Sequence, residues 1–314
     1  MILTVTPNPA IDKTLYVEEL KKGELNIVKN ARTDPGGKGI NVSKALCSYG
    51  MEQIATGFVG GANGRLFMDL LDDYVFRKDF LVISGETRIN IKVIDIRTGI
   101  VTEINEPGPV ILKEEAEKFT ELLMKYLEEC ELVILSGSLP KGLPSDFYGR
   151  CIRLASGMKV RTVLDADGET LRHGCGARPF AIKPNIHEFE RLTGKTFSDY
   201  KEINYKEIKD EIKSLHKSGI ELILVSLGDK GSILSYRNKI YHAMPIPVQI
   251  KSTVASGDAM VAALAYCIIN DFPPEKTARI TSAAGSLTAA LDGSDMAEWE
   301  DIKKEYDKVH IEEI

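Results

Sequence analysis

Ser252-Thr253-Val254-Ala255-Ser256-Gly257-Asp258 leads into an almost unbroken apolar run, Ala259 to Ile269. The length of that run and its lack of Gly or Pro suit a helix buried on all sides, with Asp258 in its first turn. There the backbone N–H groups of Ala255, Ser256 and Gly257 lack partners within the helix, and the positive end of the dipole favours an anion such as a phosphate. The same field favours the ionised form of Asp258, making it a proton acceptor within reach of whatever the turn holds. A plainer reading stands beside this one, with Ser256 as a cap and Asp258 as a favourable first-turn acid.

Further groups of this kind recur where apolar strands end. Asp12 follows the buried run Ile2 to Thr6, which Pro7-Asn8-Pro9 terminates. Gly36-Gly37-Lys38-Gly39 is no P-loop, because Gly39 follows Lys38 where Ser or Thr belongs and Arg32 stands at the leading glycine. It is either a flexible turn with one lysine placed for a phosphate or hydroxyl, or an ordinary strand-to-helix loop. Ser136-Gly137-Ser138-Leu139-Pro140 projects hydroxyls at the carboxyl edge of the sheet. Lys183-Pro184-Asn185 to Glu188 opens a helix, and Asn185 and Glu188 are spaced to act through water on Mg²⁺ or simply to cap it. Ser226-Leu227-Gly228-Asp229-Lys230-Gly231 would let a nucleotide lie against backbone, or serve as a tight turn. Hydroxyls, amides, lysines and carboxylates at successive strand ends form the inventory of phosphoryl transfer, where positioning and charge neutralisation do most of the catalysis.

The elements that must position these groups alternate. Strands are expected at 2–6, 54–59, 132–135, 160–164, 180–182 and 222–225, with helices at 42–49, 113–129, 145–155 and 205–217 between them. A helix after Gly64 is expected to turn Leu66, Phe67, Leu70 and Leu71 inward. This alternation implies a parallel sheet covered on both faces, with ligands at the C-terminal strand ends. Polar extended pieces at roughly 12–34 and 87–107 group into one small exposed sheet.

Composition narrows the class. The 314 residues carry 40 basic and 46 acidic side chains, a net charge of −6, which argues against a nucleic-acid surface. No stretch approaches the ~20 apolar residues of a membrane span. Met1-Ile2-Leu3-Thr4-Val5 enters a strand pattern without the marks of a signal peptide. Five cysteines without a C-x-x-C pair suggest neither disulfides nor zinc, and Arg172-His173-Gly174-Cys175-Gly176 reads as a loop rather than a metal site. The profile is cytoplasmic.

Taken in order, six stretches resemble the PfkB (ribokinase-like) carbohydrate kinases over nearly the whole chain, and most of all their 1-phosphofructokinase branch. They are Thr6-Pro7-Asn8-Pro9-Ala10-Ile11-Asp12, Gly36-Gly37-Lys38-Gly39-Ile40-Asn41-Val42, Thr87-Arg88-Ile89-Asn90, Gly137-Ser138-Leu139-Pro140, Lys183-Pro184-Asn185 to Glu188, and Ser252 to Asp258. The resemblance implies an α/β fold in a single domain, 1–314. A central, mostly parallel sheet would carry helices on both faces, and a small β lid would come from about 12–34 and 87–107. It implies Asp258 as general base and the turn Ala255, Ser256, Gly257 as anion hole. Asp12, Gly37 and Asn41 would hold sugar hydroxyls, and Lys38, Arg88, Asn90 and Ser138 the phosphate already on the sugar. An arginine offers that phosphate a two-pronged match. Lys183, Asn185, Ser226, Gly228 and Gly231 would face ATP, and Asn185 with Glu188 would organise Mg²⁺ through water.

The activity implied is ATP-dependent phosphorylation of the 6-hydroxyl of fructose 1-phosphate, and the lid would also form a homodimer contact. Neither nucleic acid nor membrane is an expected partner. Tagatose-6-phosphate kinase is the alternative, with a non-catalytic sugar-phosphate sensor as one of another class. One position departs from the family: Ala255 stands where its members usually have Gly. If that residue needs a positive φ, Ala costs about 1 kcal/mol or more; otherwise the change is benign.

Overall fold

The computed structural model describes residues 1–199 and 202–314. The chain opens with β1 (Ile2–Thr6), β2 (Ala10–Val17), β3 (Val28–Gly36), α1 (Lys38–Ser48), β4 (Gln53–Gly60), α2 (Gly61–Leu71), β5 (Arg77–Lys78) and β6 (Leu81–Ile83). It continues through β7 (Arg88–Asp95), β8 (Val101–Asn105), α3 (Lys113–Leu127), β9 (Leu132–Ser136), α4 (Phe147–Gly157), β10 (Arg161–Asp165), α5 (Gly168–Gly176), β11 (Ala181–Ile182) and α6 (Ile186–Thr193). After β12 (Ser198–Asp199) and β13 (Glu202–Ile203) come α7 (Tyr205–Lys217), β14 (Leu222–Ser226), β15 (Ser232–Tyr236) and β16 (Lys239–Ala243). The last elements are α8 (Ser256–Ile269), α9 (Pro274–Ala289), α10 (Trp299–Glu305) and β17 (Ile311–Glu313).

The main sheet runs β17-β16-β15-β14-β11-β10-β9-β1-β4-β5, with β6 also on β4. From β14 to β5 every pairing is parallel, and β15, β16 and β17 form an antiparallel edge. Because successive strand residues point to opposite faces, each central strand feeds two cores. Leu3, Val5, Val133 and Leu135 pack against α3 to α7. Ile2, Leu132 and Ile134 pack against α1, α8, α9 and α10. Helix α8 is buried on all sides as its composition requires, with Val261 to Ala265 wholly inaccessible.

The small sheet has the order β3-β2-β7-β8, with β2 and β7 parallel and the outer strands antiparallel. Its extent, 10–36 and 88–105, is close to the expected excursions, but β3 runs on through Pro35 and Gly36, which the sequence reading assigned to a turn. Pro35 is tolerated because β3 is an edge strand. Helix α1 consequently begins at Lys38 rather than Val42. Gly37 makes the corner at φ 112°, and Gly39 lies in the helix against β1, where a Cβ would stand 2.3 Å from Thr6 Oγ1.

Three other expectations are corrected. Of the four side chains expected to face inward from α2, Phe67 and Leu71 are buried one turn apart and Leu70 packs partly buried beside them, but Leu66 is 44% exposed. That helix also starts at Gly61, before the glycine run ends. The run Arg172 to Gly176 is the end of α5, not a loop. Asp167 caps that helix by accepting from Gly168 N, and Gly174 lets it lie against Leu164 of β10, where a Cβ would be 2.3 Å from Cδ2.

Candidate active site

The segments that follow β11 and β14, the first turns of α1 and α8 and the inner face of the small sheet line a cleft of about 1080 Å³. The turn before α8 forms its floor. Ala255, the N-cap, adopts φ 63°, ψ −7°, so the position does require the left-handed region, and its methyl costs about 1 kcal/mol relative to Gly. The side chain of Ser256 does not cap the helix, and its buried Oγ has no partner. Asp258 lies two residues further, 6% exposed, and accepts from Asn41 Nδ2 at 2.8 Å.

Burial pushes the Asp258 carboxyl up to about 6, and the nearby charge of Asp165 adds to this. Lys38, Asn41 and Lys183 pull the other way without prevailing. Desolvation thus outweighs the groups that favour the charge, yet at neutral pH the carboxylate is still mostly ionised and able to accept a proton, as expected.

Asp165, which the sequence reading passed over, stands at the centre of the charges. It is wholly buried at the end of β10; its Oδ1 lies 3.3 Å from Lys38 Nζ and 3.4 Å from Lys183 Nζ, and its Oδ2 accepts from Ser136 Oγ at 2.9 Å. Burial opposes its charge, but the two lysines and Ser136 outweigh that and hold the carboxyl below the usual range. Lys38 also lies 3.7 Å from Glu188, and Asp165 raises its ammonium well above the ordinary lysine range. Lys38 was expected around the sugar phosphate; the structure sets it between Asp165 and Glu188, with its side chain 40% exposed to the cleft. Gly257 leaves room for the other lysine, since a Cβ there would lie 3.3 Å from Lys183 Nζ.

The small sheet supplies a second group. Asp12 accepts from Asn90 Nδ2 at 3.0 Å and lies 3.5 Å from Lys92 Nζ; Gly36 permits this, because a Cβ there would overlap the carboxylate. Arg88 donates to the carbonyl of Asn8 at 2.9 Å and of Glu106 at 3.1 Å, leaving a buried Nε without a partner. Asn41 Oδ1 and Asn90 Oδ1 are likewise buried and unpartnered. Both amides are fixed by the carboxylates their nitrogens serve, so the vacant atoms are acceptors. Gly37 lines the same wall. Ser138 lies outside the cleft lining and accepts from Asn8 Nδ2 at 3.3 Å, the same residue whose carbonyl accepts from Arg88.

On the opposite wall, Ser226, Gly228 and Gly231 border the cleft beside Pro245 to Val248 and Ile250. Gly228 and Gly231 have φ of 62° and 85°, and a Cβ on Gly231 would strike the Ala243 carbonyl. Asn185 and Glu188 form a reciprocal capping box on α6: Glu188 N donates to Asn185 Oδ1 at 2.9 Å, and Asn185 N to Glu188 Oε2 at 2.8 Å. Among the described residues no three His, Cys, Asp or Glu gather as a metal site. Nor is any helix long and apolar enough to cross a membrane.

Comparison with known proteins agrees with this arrangement. The chain is 35% identical over 292 residues to a tagatose-6-phosphate kinase of Staphylococcus epidermidis, covering 92% of each. Phosphofructokinase-2 from Escherichia coli, solved in complex with potassium, superposes with a TM-score of 0.91 at 25% identity and 98% coverage of both chains. A Thermotoga maritima protein named a possible 1-phosphofructokinase superposes at 0.87 with 28% identity, over 100% of this chain and 99% of that one. The central sheet with its separate small sheet is thus the ribokinase-like fold that the sequence implied. A profile of the pfkB family carbohydrate kinases matches residues 6–300, and the chain belongs to that family of phosphotransferases with a hydroxyl acceptor.

Proposed function

We propose that the chain transfers the γ-phosphoryl group of ATP to the 6-hydroxyl of fructose 1-phosphate, giving fructose 1,6-bisphosphate and ADP. The observation that carries this reading is the polarity of the vacant atoms. Asn41 Oδ1 and Asn90 Oδ1 need hydroxyl donors, and Arg88 Nε needs an acceptor, best an anion. A phosphorylated sugar supplies both. Asp12, Gly37, Asn41 and Asn90 would meet hydroxyls; Arg88 would meet the phosphate, and Lys38 would lie on the sugar side of the transferring group.

Asp258 would take the proton of the attacking hydroxyl as its oxygen bonds to the γ-phosphorus and the bond to the bridging oxygen breaks. Lys183 beside the N-terminal turn of α8 gives two positive features at one point, suited to charge on the transferring oxygens. Pro245 to Val248 and Ile250 offer an apolar slot for the base, with Ser226, Gly228 and Gly231 along the phosphates. Mg²⁺ carried in on ATP would neutralise phosphate charge. Because Asn185 and Glu188 are committed to each other, they fit that ion only through water.

The small sheet would act as a lid that excludes water, and its exposed Ile27, Val28, Ile100, Val101 and Ile104 would suit a homodimer contact. With five unpaired cysteines, the enzyme would suit the cytoplasm. Tagatose-6-phosphate kinase is the second reading, favoured by the Staphylococcus epidermidis relative. Arg88-Ile89-Asn90 with Lys92 favours the first. A non-catalytic sensor would have no need of Asp258 and Lys183 together. Turnover with ATP and Mg²⁺ over fructose 1-phosphate, tagatose 6-phosphate, fructose 6-phosphate and free sugars tests the assignment. Fructose 1-phosphate is expected to give the highest kcat/KM; preferred turnover of a free sugar would overturn the phosphosugar reading.

A further inference from the structure

Asp165 has no role in the transfer as described so far, yet it is wholly buried beneath the cleft and engages two lysines and a hydroxyl. The pairing of β10 explains its position. Asp165 is in register with Ser136 of β9, and Leu164 with Ile182 of β11, so Lys183 is carried to the same level on the other side. Lys38 arrives from the first turn of α1. Two ammonium groups from elements far apart in sequence thus converge on one carboxylate oxygen, at 3.3 and 3.4 Å. A wholly buried carboxylate is costly unless paired, and this one has two cations and a hydroxyl.

We propose that Asp165 is a positioning residue: its carboxylate anchors Lys38 on the sugar side and Lys183 on the nucleotide side of the reacting centre, and keeps both from neutralising Asp258. This rests on the reading of Asp258 as the base. The groups that face Asp258 are Asp165 from β10, Lys38 and Asn41 from α1, and Lys183 from the segment after β11. Without a competing carboxylate, either ammonium would gain by pairing with Asp258, and an ion-paired carboxylate is a poorer base. Asp165 therefore does two things through other residues. It fixes the cations where incoming phosphates will meet them, and it leaves Asp258 basic.

The test is kcat at saturating substrates across roughly pH 5 to 8 for the wild type and Asp165→Asn, with fructose 1-phosphate, or tagatose 6-phosphate should that be faster. Asparagine keeps the volume and an acceptor for Ser136 but removes the charge. Three changes are expected together: kcat lower by about 10- to 100-fold, KM higher for both ATP and phosphosugar, and the acid limb moved to lower pH by on the order of one unit. The direction is unambiguous, because losing a like charge and freeing two cations both favour ionised Asp258. The substrate phosphate titrates near pH ~6 as well, but identically with both enzymes, so the difference belongs to the protein.

A merely structural Asp165 would lower the yield of folded enzyme and leave the limb in place. An unmoved limb, or one moved upward, overturns the proposal. A wild type flat across this range would mean that no raised carboxyl governs the rate, and it would overturn the proposal as well. Should Asp165→Asn not fold, Lys183→Gln is read for the opposite sign: with one cation gone the limb rises, and an unmoved limb overturns the proposal.

Discussion

Asn41 and Asp258 join the two helices that frame the cleft floor: Nδ2 of Asn41, in the first turn of α1, donates to Oδ2 of Asp258, in the first turn of α8, at 2.8 Å. The bond fixes the carboxylate and orients the amide, so that Asn41 presents an unpartnered oxygen to the cleft. One side chain thereby links the sugar wall to the base.

This link is testable at Asn41. Asn41→Leu removes a hydrogen bond that favours the ionised carboxylate, so the acid limb of kcat is expected to move to higher pH. KM for the phosphosugar should rise about tenfold, the scale of one hydrogen bond. A pH profile identical to wild type would show that the contact has no bearing on the base.

The pH dependence of the native enzyme follows from Asp258 itself. Its carboxyl is raised to about 6, and a base acts only when deprotonated. Activity should be full above that value and decline as pH falls through it, approaching about tenfold per unit below. A rate that stays flat down to the ordinary carboxylate range would contradict the burial argument.

Much of this site could be read in the sequence because its residues carry local marks. Asp258 follows a small-residue turn into an apolar helix, Lys183 and Asn185 end a strand and start a helix, and Arg88 opens a strand. Asp165 carries no such mark. Val163-Leu164-Asp165-Ala166-Asp167 offers two acids after a strand; one becomes the α5 cap and the other the buried centre, and only the register with β9 and β11 decides which. The early start of α1 was hidden for a related reason. Glycine weakens a helix in isolation, but at Gly39 close contact with Thr6 demands it. The rise in Asp258 proton affinity could not be read locally either, because it depends on burial by distant elements and on a carboxylate distant in sequence.

Ala255 makes a prediction about stability rather than rate. Its left-handed backbone is strained for any residue with a Cβ. Ala255→Gly should stabilise the protein by about 0.5 to 1 kcal/mol, relief of strain exceeding the added freedom of the unfolded chain. Denaturant melts measure this directly, and a loss of stability would mean that the buried methyl contributes more than the strain costs.

For Arg88, the unpartnered Nε predicts a phosphate role beside the structural one of tying the Asn8 and Glu106 carbonyls. Arg88→Ala should lower kcat/KM for the phosphosugar by about 10- to 100-fold, the scale of a charge-assisted hydrogen bond, with KM for ATP little changed. Equal losses toward both substrates would point to a general structural defect.

The most direct test is kcat of Asp258→Asn with ATP, Mg²⁺ and fructose 1-phosphate, alongside its affinity for ATP. Asparagine fills the same space but cannot take the hydroxyl proton. A fall in kcat of about 10²- to 10⁴-fold, with ATP binding largely kept, is the expected result; near-normal turnover would contradict the assignment of Asp258 as the base.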